Sequence, residues 1–298
     1  MAVDRQKLTL GGMDPDTGYL FITRGNHLMV VDVDSGKLVS DIIGLSAIHG
    51  TAFADHKAYV SEGGANKISV WDDKTFQKLG EISAGTRPDG ILYDPAFRRI
   101  FAFNGGSNDA TAIDVDSGKV AGTVALGGKP EAATSDGAGS IFVNIENTGE
   151  LVAFDARSLG IKERFSLKPC ESPTGQAADL AHGRLFSGCA GMVAVTDLKN
   201  GKLVATFPIG GGVDANRFDP STGFIFSSNG QSGTLTVAHE DTPDKYTVLD
   251  NIPTAKGART MELDAKTHRV FVVTQDTTPD TPRPVPVPGT FRLIVLRR

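Results

Sequence analysis

Short apolar runs bounded by Gly, Asn, Asp and Ser succeed one another along the whole chain, and no stretch carries the 3.6-residue rhythm of a long amphipathic helix. An aromatic residue ends one such run at Phe21, Tyr59, Phe101, Phe142, Phe186, Phe226 and Phe271, with successive spacings of 38, 42, 41, 44, 40 and 45 residues. The period therefore repeats seven times. Turn signals precede most of these aromatics: Asp14-Pro15, Asp94-Pro95 and Asp219-Pro220, with Asp136, Asp179 and Asp264 at the matching place and Ala54 as the exception. After each aromatic comes a Gly/Asn/Ser cluster and then a second apolar strand, as in Leu28-Met29-Val30-Val31-Asp32 or Ile68-Ser69-Val70-Trp71-Asp72. A further turn follows, clearest in Ser35-Gly36-Lys37, Ser117-Gly118-Lys119 and Asn200-Gly201-Lys202.

Each unit reads as four antiparallel strands, a to d. In the third unit they span Pro88 to Tyr93, Arg99 to Phe103, Thr111 to Val115 and Val120 to Leu126. Such units, stacked radially, bury both faces of every sheet and leave only short edges. The expected fold is all-β: a seven-bladed β-propeller, residues 1–298 forming one domain. Thr9 to Met13 aligns with strand a of the first blade and Phe291 to Leu296 with strand c of the last, so residues 1 to 5 are expected to close that last blade as an incomplete strand d. The expected reason for the shortfall is a trimmed N-terminus, from which a signal peptide and part of that strand have been removed. The stretch from Thr277 to Thr290, with prolines 279, 282, 284, 286 and 288, interrupts the last blade between strands b and c and favours extended polyproline structure. It is read as a partner-docking arm, a partial lid or a plain exposed insertion.

Composition narrows the function. Hydrophobic residues make up 40% and charged residues 22%, enough for a substantial core. A net charge of −5 and 7% aromatic residues give neither the basic field nor the stacking surface of a nucleic-acid binder. No run of 18 apolar residues is present to span a membrane as a helix. Cys170 and Cys189 are the only cysteines, so a four-cysteine zinc site is excluded. By the repeat, Cys170 lies in a d-to-a connection and Cys189 at the end of strand b of the sheet that connection enters. Both fall on one edge of one blade, where either a disulfide or a pair of free thiols is compatible with the pattern.

The run Arg98-Arg-Ile-Phe-Ala-Phe-Asn-Gly-Gly-Ser, then Ala112-Ile-Asp-Val-Asp-Ser-Gly-Lys-Val and Gly127-Gly-Lys-Pro-Glu, resembles the YVTN-repeat (YncE-like) β-propeller family over essentially the entire chain. Glu171-Ser-Pro-Thr-Gly175, Arg184-Leu-Phe-Ser-Gly-Cys189 and Gly257-Ala-Arg-Thr-Met261 look like a bacterial subgroup of it. The resemblance implies fold and compartment more than chemistry: members are mostly exported, which makes a periplasmic or secreted location the expectation and a cytoplasmic one the alternative. His49-Gly50 and Trp71-Asp72 mimic the WD40 signature, but Trp71 is the only tryptophan and reads as a core residue of strand c.

Superposing the repeats picks out the residues where strand a begins: Thr9, His49, Asp89, Glu131, Thr174, Asp214 and Arg259. Strand b runs antiparallel to a, so its far end returns to the same face, carrying Arg24, Glu62, Asn104, Asn144 with Glu146, Cys189, Asn229, and Gln275 with Asp276. Polar lining of a hydrated channel would need no ligand. As a site, His49, Asp89, Glu131 and Asp214 offer the N and O donors of a divalent metal, while Arg259 and Arg24 would clamp an organic carboxylate or neutralise the acids. Asp89, Glu131, Asp214, Glu62 and Glu146 against Arg24 and Arg259 favour a cation or amine over a free phosphate. The remaining histidines, His27, His56, His182, His239 and His268, fall on turns or outer strands. No His-Glu-x-x-His, P-loop, Gly-x-Ser-x-Gly or EF-hand spacing occurs.

The leading expectation is a non-enzymatic, exported binding or scaffold propeller that takes a small molecule, a metal ion or a protein partner at the channel mouth. The alternative is a lactonase- or lyase-like propeller enzyme using a bound metal, or His49 with a carboxylate.

Overall fold

The computed structural model describes residues 8–278 and 285–297. Among them every regular element is a strand, and the strands form seven antiparallel sheets in chain order. The architecture is the all-β seven-bladed propeller that the repeat predicts.

Two compact units divide the chain: Met1–Asn147 with Val152–Arg164, and Thr148–Leu151 with Phe165–Arg298. In the first, sheet 1 comprises strands a to d at Leu8–Met13, Tyr19–Arg24, His27–Asp32 and Lys37–Ile43. Sheet 2 comprises Ile48–Ala54, Lys57–Glu62, Lys67–Asp72 and Lys78–Ser83, and sheet 3 Pro88–Asp94, Arg99–Asn104, Asp109–Asp114 and Lys119–Ala125. Sheet 4 is Pro130–Ser135, Ser140–Ile145, Glu150–Asp155 and Ile161–Ser166. In the second unit, sheet 5 is Gln176–Asp179, Arg184–Cys189, Met192–Asp197 and Leu203–Pro208, and sheet 6 is Val213–Asp219, Phe224–Asn229, Thr234–Thr242 and Lys245–Pro253. Among the described residues sheet 7 has three strands, Met261–Asp264, Arg269–Thr274 and Arg292–Leu296. The last of these pairs with Arg269–Thr274 as strand c, as its alignment requires. The closing strand expected from residues 1 to 5 lies outside the described residues.

All seven aromatics of the repeat are the third residue of strand b. Strands b and c are apolar on both faces, and within each unit neighbouring sheets pack against those faces. On strand b of sheet 3, Phe101 and Phe103 pack toward Ile141, Val143 and Phe154 of sheet 4, while Ile100 and Ala102 pack toward Tyr59, Ile68 and Val70 of sheet 2. In the second unit the same alternation sets Phe186 and Val195 of sheet 5 against Ile225 and Ala238 of sheet 6. Trp71 is 8% exposed and sits in the core with Phe21 and Leu28. Strand d, by contrast, is mostly solvent-facing, as at Leu38 and Ile43.

The aspartates of the repeat hold the turns. At the a–b turns Asp14 accepts from the Asp16 N–H (3.1 Å) and Asp219 from the Ser221 N–H (3.0 Å); Asp136 accepts from both the Ala138 and Ser140 N–H groups at 2.8 Å. At the c–d turns Asp32, Asp72, Asp114, Asp155 and Asp197 do the same for the N–H groups two or three residues on. These are Asx turns, in which the side chain stands in for a backbone acceptor. The described part of the proline-rich insertion, residues 277–278 and 285–290, holds one backbone bridge. Thr277 bridges Pro286 antiparallel, with the Thr278 N–H donating to Val285 O and the Val287 N–H to Asp276 O, both at 2.9 Å. A chain that finds a partner strand satisfies its backbone that way rather than through solvent. Pro279, Pro282 and Pro284 lie outside the described residues.

Cys170 and Cys189 form a disulfide, with Cα atoms 5.4 Å apart and both residues buried. It ties the connection entering sheet 5 to the end of that sheet's strand b.

Candidate functional site

The ladder between strands a and b carries one extra residue on strand a at the same place in sheets 2, 3 and 4. Ile48 faces Glu62 but Thr51 faces Val60; Pro88 faces Asn104 but Ile91 faces Ala102; Pro130 faces Ile145 but Ala133 faces Val143. Inside these bulges sit His49, Asp89 and Glu131. A bulge bends its strand and re-aims a side chain out of the alternating pattern, so the three residues singled out by the repeat share one local cause for their orientation. Strand a of sheet 2 lies beside that of sheet 3, and the latter beside that of sheet 4. Gly50 and Gly90 permit this approach: a Cβ on Gly50 would come within 3.1 Å of the Asp89 carbonyl oxygen, and one on Gly90 within 3.2 Å of that of Glu131.

The result in the first unit is a row, His49–Asp89–Glu131. His49 Nδ1 is 3.4 Å from Asp89 Oδ1, with the histidine nearly buried and the aspartate half-exposed. Glu131 Oε1 is 2.6 Å from Lys129 Nζ, and the same ammonium meets Glu146. Burial is the main cause that pushes the Glu131 carboxyl up to about 7; Lys129 opposes the shift, and the charges of Asp89 and Glu146 reinforce it. Lys129 is raised as well: burial works against its charge, and the bonds to Glu131 and Glu146 outweigh burial. One ammonium thus serves two glutamates beside a third acid.

Hydroxyls on strand b, which sequence reasoning missed, anchor the backbone of this row. Thr23 donates to the carbonyl of His49 (2.5 Å) and Ser61 to that of Asp89 (2.6 Å). Both stand two residues after the repeat aromatic, at a position that is polar in some units and apolar in others, so the pattern alone does not reveal their task.

The other candidates serve the fold around the row. Glu62 is buried, accepts from the Ser46 N–H at 3.1 Å and has Lys67 Nζ 3.9 Å away. Asn104 is buried and donates to Asp109 Oδ1 (2.6 Å) and Thr111 Oγ1 (2.9 Å), bracing its own hairpin. Asn144 is buried on strand b of sheet 4, and Arg24 ends strand b of sheet 1.

In the second unit Asp214 occupies an equivalent bulge: Val213 faces Asn229 but Ala215 faces Ser228. Its Oδ2 lies 3.3 Å from Arg259 Nε, so this acid is matched by a cation from strand a's approach to sheet 7. Thr174 donates to Val213 O at 2.8 Å, and Ser228 to Arg259 O. Asn229 repeats the bracing of Asn104, donating to Thr234 Oγ1 (3.2 Å) and Thr236 Oγ1 (2.8 Å). The row of the first unit is therefore acidic, while in the second unit Asp214 is balanced by Arg259.

Among the described residues, the trios of metal-ligating side chains with donor atoms within 4.8 Å of one another are Asp16–His56–Asp73 and Asp179–His182–Glu240, both at the a–b turn end of the strands. The row His49–Asp89–Glu131 is more open. Each remaining histidine faces an acid: His27 with Asp41, His56 with Asp16, His182 with Asp179, His239 with Asp241 and His268 with Asp219. The repeat places these histidines on turns and strands but does not show their partners, which in the cases of Asp16 and Asp219 come from the neighbouring sheet.

No known family's sequence profile matches the chain, and no curated protein matches it. Solved structures do. A chain of Kuenenia stuttgartiensis hydrazine synthase is similar with a TM-score of 0.82 and 15% identity, over 100% of this chain and 97% of that one. The WD40 repeats of RRP9 give a TM-score of 0.81 at 12% identity, over 99% and 96%. A chain of the mitotic checkpoint complex gives 0.78 at 14%, over 91% and 86%. At such identities the likeness concerns the fold: this is a β-propeller, a class compatible with binding and scaffold roles. Among the described residues no helix is long and apolar enough to cross a membrane.

Proposed function

We propose that the protein is a binding propeller that captures a cationic ligand, a divalent metal ion or an organic amine, at the His49–Asp89–Glu131 row. The observation that supports this reading is the charge imbalance at the bulges: Glu131 and Glu146 share Lys129, and Asp89, which faces His49, adds its charge beside them, at the cost of raising the Glu131 carboxyl. A bound cation would relieve that cost, and an anionic ligand would add to it. Asp214, already facing Arg259, plays the lesser part in this reading.

The family and compartment follow from separate arguments. The repeat pattern supports membership of the YVTN-repeat (YncE-like) group, and a buried disulfide fits an exported protein in an oxidising compartment. We also take residues 1–298 to be a single cooperative domain.

The test is a thermal-shift screen of the chelator-treated protein with divalent chlorides and with putrescine. A ligand that binds the folded state raises the midpoint by mass action. At least one cation is expected to do so, with a shift that Asp89→Asn reduces. Equal shifts in wild type and variant for every cation tested, or none for any cation, would remove this function.

A further inference from the structure

A second site emerges when the residue that follows strand c, or in sheet 6 the equivalent Glu240 within its longer strand c, is compared from sheet to sheet. Its N–H makes the same bond in five sheets, donating to the a–b turn of its own sheet: Asp73 to His56 O (3.2 Å), Val115 to Arg98 O (3.0 Å), Ala156 to Gly139 O (2.9 Å), Leu198 to Gly183 O (3.0 Å) and Glu240 to Gly223 O (2.9 Å). The position is a core position. Val115 and Ala156 are 2% and 0% exposed and belong to the hydrophobic clusters between sheets. Sheets 2 and 6 put an acid there instead.

In sheet 2 that acid has no adequate partner. Asp73 is 1% exposed, and its Oδ1 is buried without a hydrogen-bond donor. Its Oδ2 faces His56 Nδ1 at 3.6 Å, and His56 Nδ1 is 3.1 Å from Asp16 Oδ2. Asp14, also 1% exposed, adds negative charge nearby. Its own oxygens are taken by the Asp16 N–H (3.1 Å) and the Thr17 hydroxyl (2.5 Å), so it fixes the turn that carries Asp16 without neutralising Asp73. A buried carboxylate oxygen with nothing to accept costs several times what a satisfied one does.

We propose that Asp16, His56 and Asp73 form a zinc-class divalent metal site, built at the a–b turn end of sheets 1 and 2. One imidazole nitrogen and two carboxylate oxygens suit a borderline ion such as Zn2+, with water completing the shell. Zinc bonds of ~2.0–2.1 Å at tetrahedral angles put ligand atoms roughly 3.3 Å apart. The observed separations of 3.1 and 3.6 Å bracket that value. Asp73 and His56 are fixed relative to each other by the backbone bond between them, so binding needs little beyond replacement of the proton between His56 and Asp16. Sheet 6 meets the same problem at Glu240, whose two carboxylate oxygens are buried without a hydrogen-bond partner and whose carboxyl is raised by burial and by the charge of Asp179.

The experiment is a titration of the chelator-treated full chain with Zn2+ followed by calorimetry and thermal shift, in wild type, Asp73→Asn, His56→Ala and Asp89→Asn. The wild type is expected to bind Zn2+ saturably and gain thermal stability. Asp73→Asn and His56→Ala should each weaken that binding by about tenfold or more. Asp89→Asn, altered only in the row of the proposed cation function, should retain it, which separates failure of this site from failure of that one. Asp73→Asn removes a buried charge and should melt no lower than the wild type without metal, so loss of binding in it cannot be blamed on misfolding. Absence of saturable binding in the wild type, or undiminished binding in Asp73→Asn and His56→Ala, would overturn the proposal.

Discussion

Removing the disulfide gives a prediction whose size depends on how the chain unfolds. Cys170 and Cys189 are 19 residues apart, and the bridge closes the loop between them. Loop-closure entropy for about 20 residues is roughly 11 cal/mol/K, or ~3 kcal/mol at 25 °C. If all 298 residues melt as one unit, the unfolding entropy near the midpoint is about 0.6 kcal/mol/K, and loss of the cross-link lowers Tm by about 5 °C. If the second unit melts alone, its roughly 140 residues carry about 0.3 kcal/mol/K, and its transition falls by about 11 °C while the other stays in place. Differential scanning calorimetry of oxidised protein and of protein refolded under a phosphine reductant separates the cases, because reduction keeps both side chains and opens no cavity. A single endotherm displaced by about 5 °C is the expected outcome for one cooperative domain. An unchanged Tm, with two reactive thiols in the unfolded and unreduced protein, would refute the cross-link. Two endotherms, only one of them displaced, would refute the single domain.

Other expectations follow from individual residues. Glu240 is raised to about 7, first by burial and then by the charge of Asp179. The folded state therefore holds its proton more tightly than the unfolded chain, so stability is fullest below the usual carboxylate range and falls as pH rises toward 7; Glu240→Gln should flatten that fall in urea melts across pH 4.5 to 7. Asp155 moves the other way, lowered to about 2 chiefly by the Ser158 N–H. Its contribution is present above the usual range and lost as pH falls toward 2, so Asp155→Ala should lower Tm at pH 7 more than in strong acid. Gly175→Ala would set a Cβ 2.8 Å from the backbone of Ala215 and should cost about 1–3 kcal/mol in urea unfolding, whereas Gly36→Ala, with open space around it but φ of +68°, should cost about 1 kcal/mol. Cation affinity at the His49 row should rise between pH 6 and 8 as Glu131 ionises around 7, and Glu131→Gln should remove that dependence.

The fold was legible because one residue type recurs for one reason. The aromatic at the third position of strand b is demanded by packing between sheets in every unit, and the turn aspartates are demanded by unsatisfied N–H groups. The row His49–Asp89–Glu131 could be read by superposition because its bulges recur at a constant register. Its electrostatics could not. Lys129 precedes Pro130 in what reads as an ordinary turn, and only the folded chain brings its ammonium to Glu131 and Glu146. The same limit applies to Asn104 and Asn229, whose amides are spent on residues five and seven places on. Asp73 was within reach of the repeat, since aligning it with Val115, Ala156 and Leu198 shows an acid in an apolar column. What the alignment lacks is the neighbour: Asp16 arrives from another sheet.

The central claim, that the acidic row binds a cation, is tested most directly by isothermal calorimetry in an Asp73→Asn background, where the turn cluster contributes no heat of its own. Divalent chlorides and putrescine are titrated into that protein and into the same protein carrying Asp89→Asn and Glu131→Gln. The account predicts one saturable site for at least one of these cations, lost when the two acids become amides. Identical heats from both proteins, or no saturable heat from either, would contradict it.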